Sequence, residues 1–249
     1  MDSKTIQKES YSAYQRRIQE LLDCRACFPP ENEPLATARG LEQKLYADGS
    51  FRPFYGDTVV FQLPEDAKRV LGDIQSSLYG AAGGMLAEPL PADTFHITLH
   101  DLCAASLQRD VQAAAEAHRT QLRERLPYIT GRGSVRLFAK GMVSMVSSSI
   151  VMLFVPVCET DHRAIQDMYG CLEEIRPLPY PLTLHCTLAY YKPGIYSPAE
   201  WNSLYRFIRQ WNAQHPDAFS VSLDGDAIAY QSFCSMCHYT NVLDCAGPF

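Results

Sequence analysis

The stretch "TFHITLHDL", residues 94–102, sets the imidazole of His96 and the hydroxyl of Thr98 into an alternating apolar pattern. Side chains of a β-strand point alternately to its two faces, so His96 and Thr98 share one face and their apolar neighbours share the other. We therefore expect a strand that buries its apolar face and presents an imidazole and a hydroxyl together.

A second stretch, "PLTLHCTLAYY" at residues 181–191, repeats the arrangement with His185 and Thr187. Helix and strand patterns alternate along the chain around each copy. This recurrence suits a duplicated unit in which the two strands lie side by side. The sequence thus predicts one cleft lined by two imidazoles and two hydroxyls.

Such a cleft has the groups that phosphodiester hydrolysis needs. Water attack requires a base for the nucleophile and an acid for the leaving oxygen, and histidine titrates near neutrality. Two rings in one site titrate as a coupled pair. Threonine hydroxyls can donate hydrogen bonds to the non-bridging oxygens, where charge builds in the transition state. This scheme requires no metal and no cofactor, and we predict neither. One His-x-Thr alone is commonplace, so the prediction depends on the pair.

The segments "HITL" (96–99) and "HCTL" (185–188) resemble the paired H-x-T/S-φ motifs, φ being apolar, of the 2H phosphoesterase superfamily. That superfamily includes the LigT-like RNA 2′,3′-cyclic phosphodiesterases. The resemblance implies a bilobal α+β fold, with two antiparallel sheets and outer helices around a central cleft and one motif in each lobe. "FRPFYGDTVVFQLP", residues 51–64, also resembles a branch of the superfamily described as a domain of unknown function.

The resemblance also implies an activity: metal-independent cleavage of a cyclic or linear phosphodiester at a nucleotide or RNA end. His96 and His185 become the acid–base pair, and Thr98 and Thr187 the phosphate ligands. Which histidine is the acid and which the base is left open.

The chain divides into two predicted parts. Residues 1–50 look like an N-terminal helical extension, because apolar residues recur at helical spacing within residues 10–24 and a proline-rich connector follows. Residues 51–249 form the bilobal domain. Within it we expect a hairpin of residues 134–145 and 148–157, and another within residues 219–233. A helix over residues 159–175 is expected to be capped by Thr160 or Asp161.

Three further residues are predicted to contact substrate. Tyr55 and Tyr190 can stack on a nucleobase, and Lys192 can neutralise phosphate; core packing and solvated charge are the alternatives. His100 continues the face of His96 and Thr98, but exposure at the strand end is the favoured interpretation.

Composition limits the partners. The formal charge of −6 argues against long duplex nucleic acid, which usually selects a basic face. A nucleotide or short RNA is the predicted substrate. The polar start carries no signal-peptide pattern and the longest apolar run is too short to span a bilayer, so no membrane association is expected. Nine scattered cysteines are interpreted as reduced thiols in a cytoplasmic protein.

Two alternatives remain open on the sequence. The first is a nucleotide-binding sensor that keeps the cleft without turnover. The second is a zinc-organised interaction protein, in which Cys24 and Cys27 together with Cys234 and Cys237 hold one metal ion.

Overall fold

The computed structural model describes residues 9–23 and 27–244, with side chains up to residue 242. Within these residues the helices and strands follow in the order α1 (Tyr11–Leu22), β1 (Leu35–Ala36), β2 (Tyr55–Gln62), α2 (Glu65–Ala82), β3 (His96–Ala105), α3 (Gln108–Thr130), β4 (Val135–Met145), β5 (Ser149–Pro156), α4 (Glu159–Glu173), β6 (His185–Tyr190), β7 (Ile195–Tyr196), α5 (Pro198–Gln214), β8 (Phe219–Leu223), β9 (Ile228–Ser235) and β10 (His238–Asp244).

The strands form two four-stranded antiparallel sheets, ordered β10-β9-β2-β3 and β6-β5-β4-β8, and a small β1-β7 pair. Helix α3 packs on the first sheet, whereas α1, α4 and α5 pack on strands of the second. The predicted α+β class, two antiparallel sheets with outer helices, is confirmed.

The two halves repeat one unit of four elements. The first copy is β2-α2-β3-α3, and the second is β5-α4-β6-α5 with the two-residue strand β7 inserted before α5. In each copy the third element is the strand that carries His-x-Thr, and that strand lies at the edge of its sheet. The two edges face one another, since β3 contacts β6. The duplicated topology therefore brings both motifs to the junction of the sheets.

The predicted hairpin within residues 219–233 is wrong. β8 pairs with β4 in one sheet, whereas β9 pairs with β2 and β10 in the other. A turn of 3-10 helix at Gly225–Ala227 carries the chain between the sheets. The local turn signal indicated a reversal correctly, but pairing partners depend on the rest of the fold. The β4-β5 hairpin forms as predicted.

The predicted N-cap of α4, Thr160 or Asp161, is also wrong. The helix begins at Glu159 after Cys158, so Thr160 and Asp161 lie in its first turn. Asp161 is 7% exposed, and its carboxylate accepts a hydrogen bond from the backbone N–H of Arg136 at 3.2 Å. Its oxygen ties the helix to β4 instead of capping the helix.

Residues 9–50 pack into the same core as the rest of the chain. Tyr14 and Ile18 of α1 and Leu41 and Leu45 after it are each 1% exposed. The Tyr14 hydroxyl donates to the carbonyl of Phe154 at 3.0 Å. In the described part of the chain, no packing boundary therefore falls at residue 50. The helix expected in this segment, α1, packs on the second sheet.

None of the helices in the described residues is both long and apolar enough to cross a membrane.

Candidate active site

The motif strands meet with their apolar faces buried. Ile97 and Leu99 in β3, and Cys186 and Leu188 in β6, are all 0% exposed. His96 and Thr98, like His185 and Thr187, are only partly buried and lie on the opposite faces.

Each imidazole is held in the same way. Nδ1 of His96 lies 2.8 Å from the carbonyl oxygen of Thr94, and Nδ1 of His185 lies 2.7 Å from that of Thr183. Since a carbonyl only accepts, Nδ1 carries the proton of each neutral ring and Nε2 keeps a free lone pair. The repeat is thus T-x-H-x-T-L in both halves. The first threonine of each copy was a sequence signal that the pair His-x-Thr alone did not include.

Both rings favour the neutral form. Burial, with a smaller contribution from the charge of His185, lowers the pKa of His96 to about 4. Burial also lowers the pKa of His185, while the carboxylate of Asp101 opposes that shift. Each Nε2 is therefore available to accept a proton at neutral pH.

A β-bulge follows each motif. In the first sheet Thr98 pairs with Val60 and His100 with Val59, so Leu99 is the extra residue. In the second, Thr187 pairs with Val151 and Ala189 with Ile150, so Leu188 is the extra residue. A bulge leaves two successive side chains on one side of the strand.

The first bulge reverses the expectation for His100. His100 is 1% exposed, and its Nε2 lies 3.0 Å from Glu173 Oε1 in α4. It is neither a cleft residue nor exposed at a strand end. The next residue, Asp101, is exposed instead, and its charge raises the pKa of His96 and of His185. The alternation of side chains along a strand predicts that His100, and not Asp101, shares the face of His96. The bulge changes this, and it depends on how the strands pair.

Of the two tyrosines predicted to contact substrate, one lies at the cleft and the other does not. Tyr190 is 9% exposed and lies beside Thr187, with its hydroxyl 3.4 Å from Met236 Sδ. It therefore supports the cleft wall. Tyr55 pairs with Ala105, seven strand residues or roughly 23 Å from the Gln62–His96 pair. The structure does not bring Tyr55 to the motifs.

Lys192 also lies away from the motifs, beyond the far end of β6. Its backbone N–H donates to Met85, and its side chain packs against Gly49 beside Asp48.

A different lysine lies at the cleft. Lys44 Nζ is 5.8 Å from the ring centroid of Tyr190 and 5.4 Å from that of Phe54. Burial lowers the pKa of Lys44, and the charge of Asp101 opposes that shift. Lys44 belongs to the segment that we interpreted as an extension, and its surroundings in the sequence gave no signal of this role.

Metal-ligating side chains cluster at one place in the described residues, away from the motifs. Asp57, Cys103 and His118 have ligand atoms within 4.8 Å of one another. The carboxylate of Asp57 already accepts hydrogen bonds from the Cys103 thiol, His118 Nδ1 and the Tyr230 hydroxyl. These three donors account for the cluster as a structural network.

The cysteine pairs of the zinc alternative are not among these residues. Cys24 lies outside the described residues, Cys27 is partly buried and Cys234 is exposed. Cys27, Cys234 and Cys237 join no three-residue ligand group in the ranges 9–23 and 27–244.

The sequence matches no protein-family model and no curated protein. Among solved structures, a conserved protein of unknown function from Agrobacterium tumefaciens is 16% identical, with a TM-score of 0.65 over 98% of this chain and 99% of that one. The two chains therefore share a fold.

Solved structures similar to this chain also include a Thermus thermophilus protein and E. coli LigT. Each is 14% identical and covers 76% of this chain and 95% of its own, with TM-scores of 0.45 and 0.44. LigT has also been solved in complexes with 3′-AMP, phosphate and ATP.

Proposed function

We propose that this protein is a phosphodiesterase that hydrolyses a nucleotide or RNA-end phosphodiester, 2′,3′-cyclic or linear, by acid–base catalysis between His96 and His185. The observation that carries the proposal is the repeated geometry of the two rings. Both are anchored through Nδ1 to the carbonyl two residues earlier, and both lie on sheet edges that face each other. The charge of His185 acts on the pKa of His96, as expected for neighbouring rings, and in our proposal one phosphate lies between the two Nε2 atoms.

The reaction divides between the two rings. Nε2 of the base takes a proton from water, whose oxygen attacks phosphorus. The bond from phosphorus to a ribose oxygen breaks, and that oxygen takes a proton from Nε2 of the acid. A cyclic phosphate thus becomes a monophosphate. The same rings exchange a proton with solvent before the next turnover.

We assign His96 as the base and His185 as the acid. The pKa of His96, which burial lowers to about 4, keeps that ring unprotonated at neutral pH. Burial lowers the pKa of His185 as well, and the charge of Asp101 opposes that shift. A bound phosphate anion would raise this pKa, since a nearby negative charge favours the imidazolium. The bound substrate would then favour protonation of His185, the proposed acid.

Thr98 and Thr187 are proposed to bind the non-bridging oxygens. Both hydroxyls share a strand face with the catalytic ring of the same motif. Hydroxyl donors aimed at these oxygens stabilise the charge that develops during attack. Lys44 supplies a positive charge at the same cleft. The other steps of the proposed reaction use only side chains of this protein, water and the substrate.

The test is turnover of adenosine 2′,3′-cyclic phosphate by the whole chain in the presence of EDTA, followed by phosphorus NMR. We expect a monophosphate product. The exposed-surface variant His215→Ala should retain wild-type activity, because His215 lies at the end of α5.

A nucleotide sensor is the second candidate, and one observation favours it. Both imidazole pKa values are lowered, so neither ring holds an acidic proton at pH 7 until substrate raises one of them. Saturable binding of the cyclic nucleotide without any product would support the sensor and contradict the phosphodiesterase.

A further inference from the structure

A cavity of about 360 Å³ opens beside His96. This volume falls within the range of small-molecule sites, roughly 300–1,000 Å³. Its walls come from the end of β2, the start of α2, the loop before β3 and the strands β9 and β10. His96 is part of the wall, so a ligand in the cavity would be next to the proposed reaction centre.

Three side-chain amides form one wall of this cavity. Gln62 is the cross-strand partner of His96, and Asn241 is the cross-strand partner of Gln231. Nε2 of Gln62 and Nε2 of Gln231 both donate to Oδ1 of Asn241, at 3.2 Å and 2.8 Å. The amides therefore hold one another in a fixed row on the face of the sheet that carries His96.

The row leaves hydrogen-bonding capacity unused. Gln231 is only 8% exposed, yet its Oε1 has no hydrogen-bond partner in the described part of the chain. Burying a polar atom without a partner is costly. Oδ1 of Asn241 accepts both of these hydrogen bonds, and its Nδ2 takes part in neither. The row therefore offers an acceptor on Gln231 and a donor on Asn241.

We propose that this cavity holds the nucleobase of the substrate and that Gln62, Gln231 and Asn241 recognise its edge. The inference rests on the proposed function and names the part of the substrate that lies beyond the phosphate. Asparagine and glutamine amides pair with base edges because each has a donor and an acceptor at the spacing of those on a base. Reversing all three amides together keeps both mutual hydrogen bonds, so the row can meet either order of donor and acceptor.

The aromatic surroundings suit a flat ligand that lies against His96. The ring of Tyr239 meets the ring of His96 edge to face, with centroids 4.8 Å apart. Phe233 packs behind Tyr239 at 5.4 Å and fixes it. Lys68, whose Nζ pairs with Glu65 at 2.8 Å, also lies in the wall, where it can donate to a ring nitrogen or carbonyl. A base-free sugar phosphate would leave Oε1 of Gln231 without a partner.

The test compares substrates that share a reacting group. The specificity constants kcat/KM are measured for the four nucleoside 2′,3′-cyclic phosphates and for base-free ribose 2′,3′-cyclic phosphate. We expect at least one nucleotide to be preferred about tenfold or more, as expected when buried polar groups lose their partners. Gln231→Leu should reduce that preference several-fold, mainly by raising KM for the nucleotide.

Asn241→Ala provides a second variant at an exposed position, should Gln231→Leu fold poorly. It should also reduce the preference. Gln214→Ala, on the surface at the end of α5, is the matched control and should keep it. Turnover with equal kcat/KM for the base-free compound, or a preference unchanged in both variants, would overturn the inference while leaving the phosphodiesterase intact.

Binding measurements test the nucleobase site independently of catalysis. Calorimetry compares adenosine 2′-monophosphate with ribose 5-phosphate on the wild-type chain and on Asn241→Ala. Tighter binding of the nucleotide, lost in the variant, supports the base site even if neither cyclic substrate is turned over. Equal binding of the two ligands contradicts it, whatever the activity.

Discussion

Arg17 of α1 donates from Nη1 to Oγ1 of Thr183 at 2.8 Å. Its Nη2 donates to the carbonyl of Leu182 at 2.8 Å, and Glu9 pairs with the same guanidinium at 2.7 Å. Thr183 is the residue whose carbonyl anchors His185. Helix α1 therefore holds the segment that orients His185, one of the two imidazoles that we propose to be catalytic, without contacting the proposed reacting atoms itself.

Arg17→Ala should lower kcat about tenfold with a smaller change in KM, because misplacing a catalytic group slows the reaction more than it weakens binding. Arg17→Lys should restore part of the rate, since lysine keeps the charge but loses the forked geometry. Steady-state kinetics measures both.

Arg16→Ala is the control, because Arg16 is the exposed neighbour on the same helix. A kcat for Arg17→Ala equal to that of Arg16→Ala, in a folded protein, would show that α1 does not position His185.

Asp101→Asn should shift the pH–rate profile to lower pH. The carboxylate raises the pKa of His96 and of His185, so its loss lowers both values. The acid that serves catalysis then loses its proton at a lower pH, and activity near pH 7 to 8 falls. The exposed variant Asp226→Asn should leave the profile in place. A profile unmoved by Asp101→Asn would mean that this charge does not act on the rings.

His96→Ala should flatten the dependence of stability on acidity. Burial lowers the pKa of His96 to about 4 in the folded chain, whereas histidine ordinarily titrates near 6.5. Between these values the unfolded chain binds a proton that the folded chain does not, so stability falls as pH falls from about 6.5 towards 4.

Removing the ring removes that contribution, and Tm should decline less steeply over this window in thermal unfolding. His215→Ala, at an exposed position, is the comparison. Equal slopes for His96→Ala and the wild type would contradict a lowered pKa of His96 in the folded chain.

Asp57→Asn should destabilise the fold by about 3 kcal/mol, because it breaks a buried charged network. Burial alone would raise the pKa of Asp57, but hydrogen bonds from His118, Cys103 and Tyr230 outweigh it and hold that pKa below its ordinary value. Urea unfolding measures the loss. Asp73→Asn on the exposed face of α2 should change stability by less than about 0.5 kcal/mol. A similar small effect at Asp57 would show that the network contributes little.

Much of the fold followed from local pattern. Alternation placed His96 and His185 in strands, and the 3.6-residue period located the long helices. The repeat of one motif indicated two matching halves. These signals are local, so they can be read from the sequence without knowing which strands pair.

The misplaced features depend on pairing between distant segments. The bulge at Leu99 buries His100 and turns Asp101 to the cleft. Lys44 reaches the site only because residues 9–50 fold into the same core. Neither alternation nor composition encodes such long-range register, and the amide row beside His96 is likewise formed by three strands that the sequence does not order.

Single-turnover hydrolysis of adenosine 2′,3′-cyclic phosphate by the wild type, by His96→Ala and by His185→Ala tests whether the two imidazoles act on one phosphorus. Loss of a general acid or base typically costs 10²–10⁴-fold, and we expect each variant to fall in that range. The double variant should be little slower than the worse single one, since both rings serve one step. A near-normal rate in either single variant would show that the two imidazoles do not act together on one phosphorus.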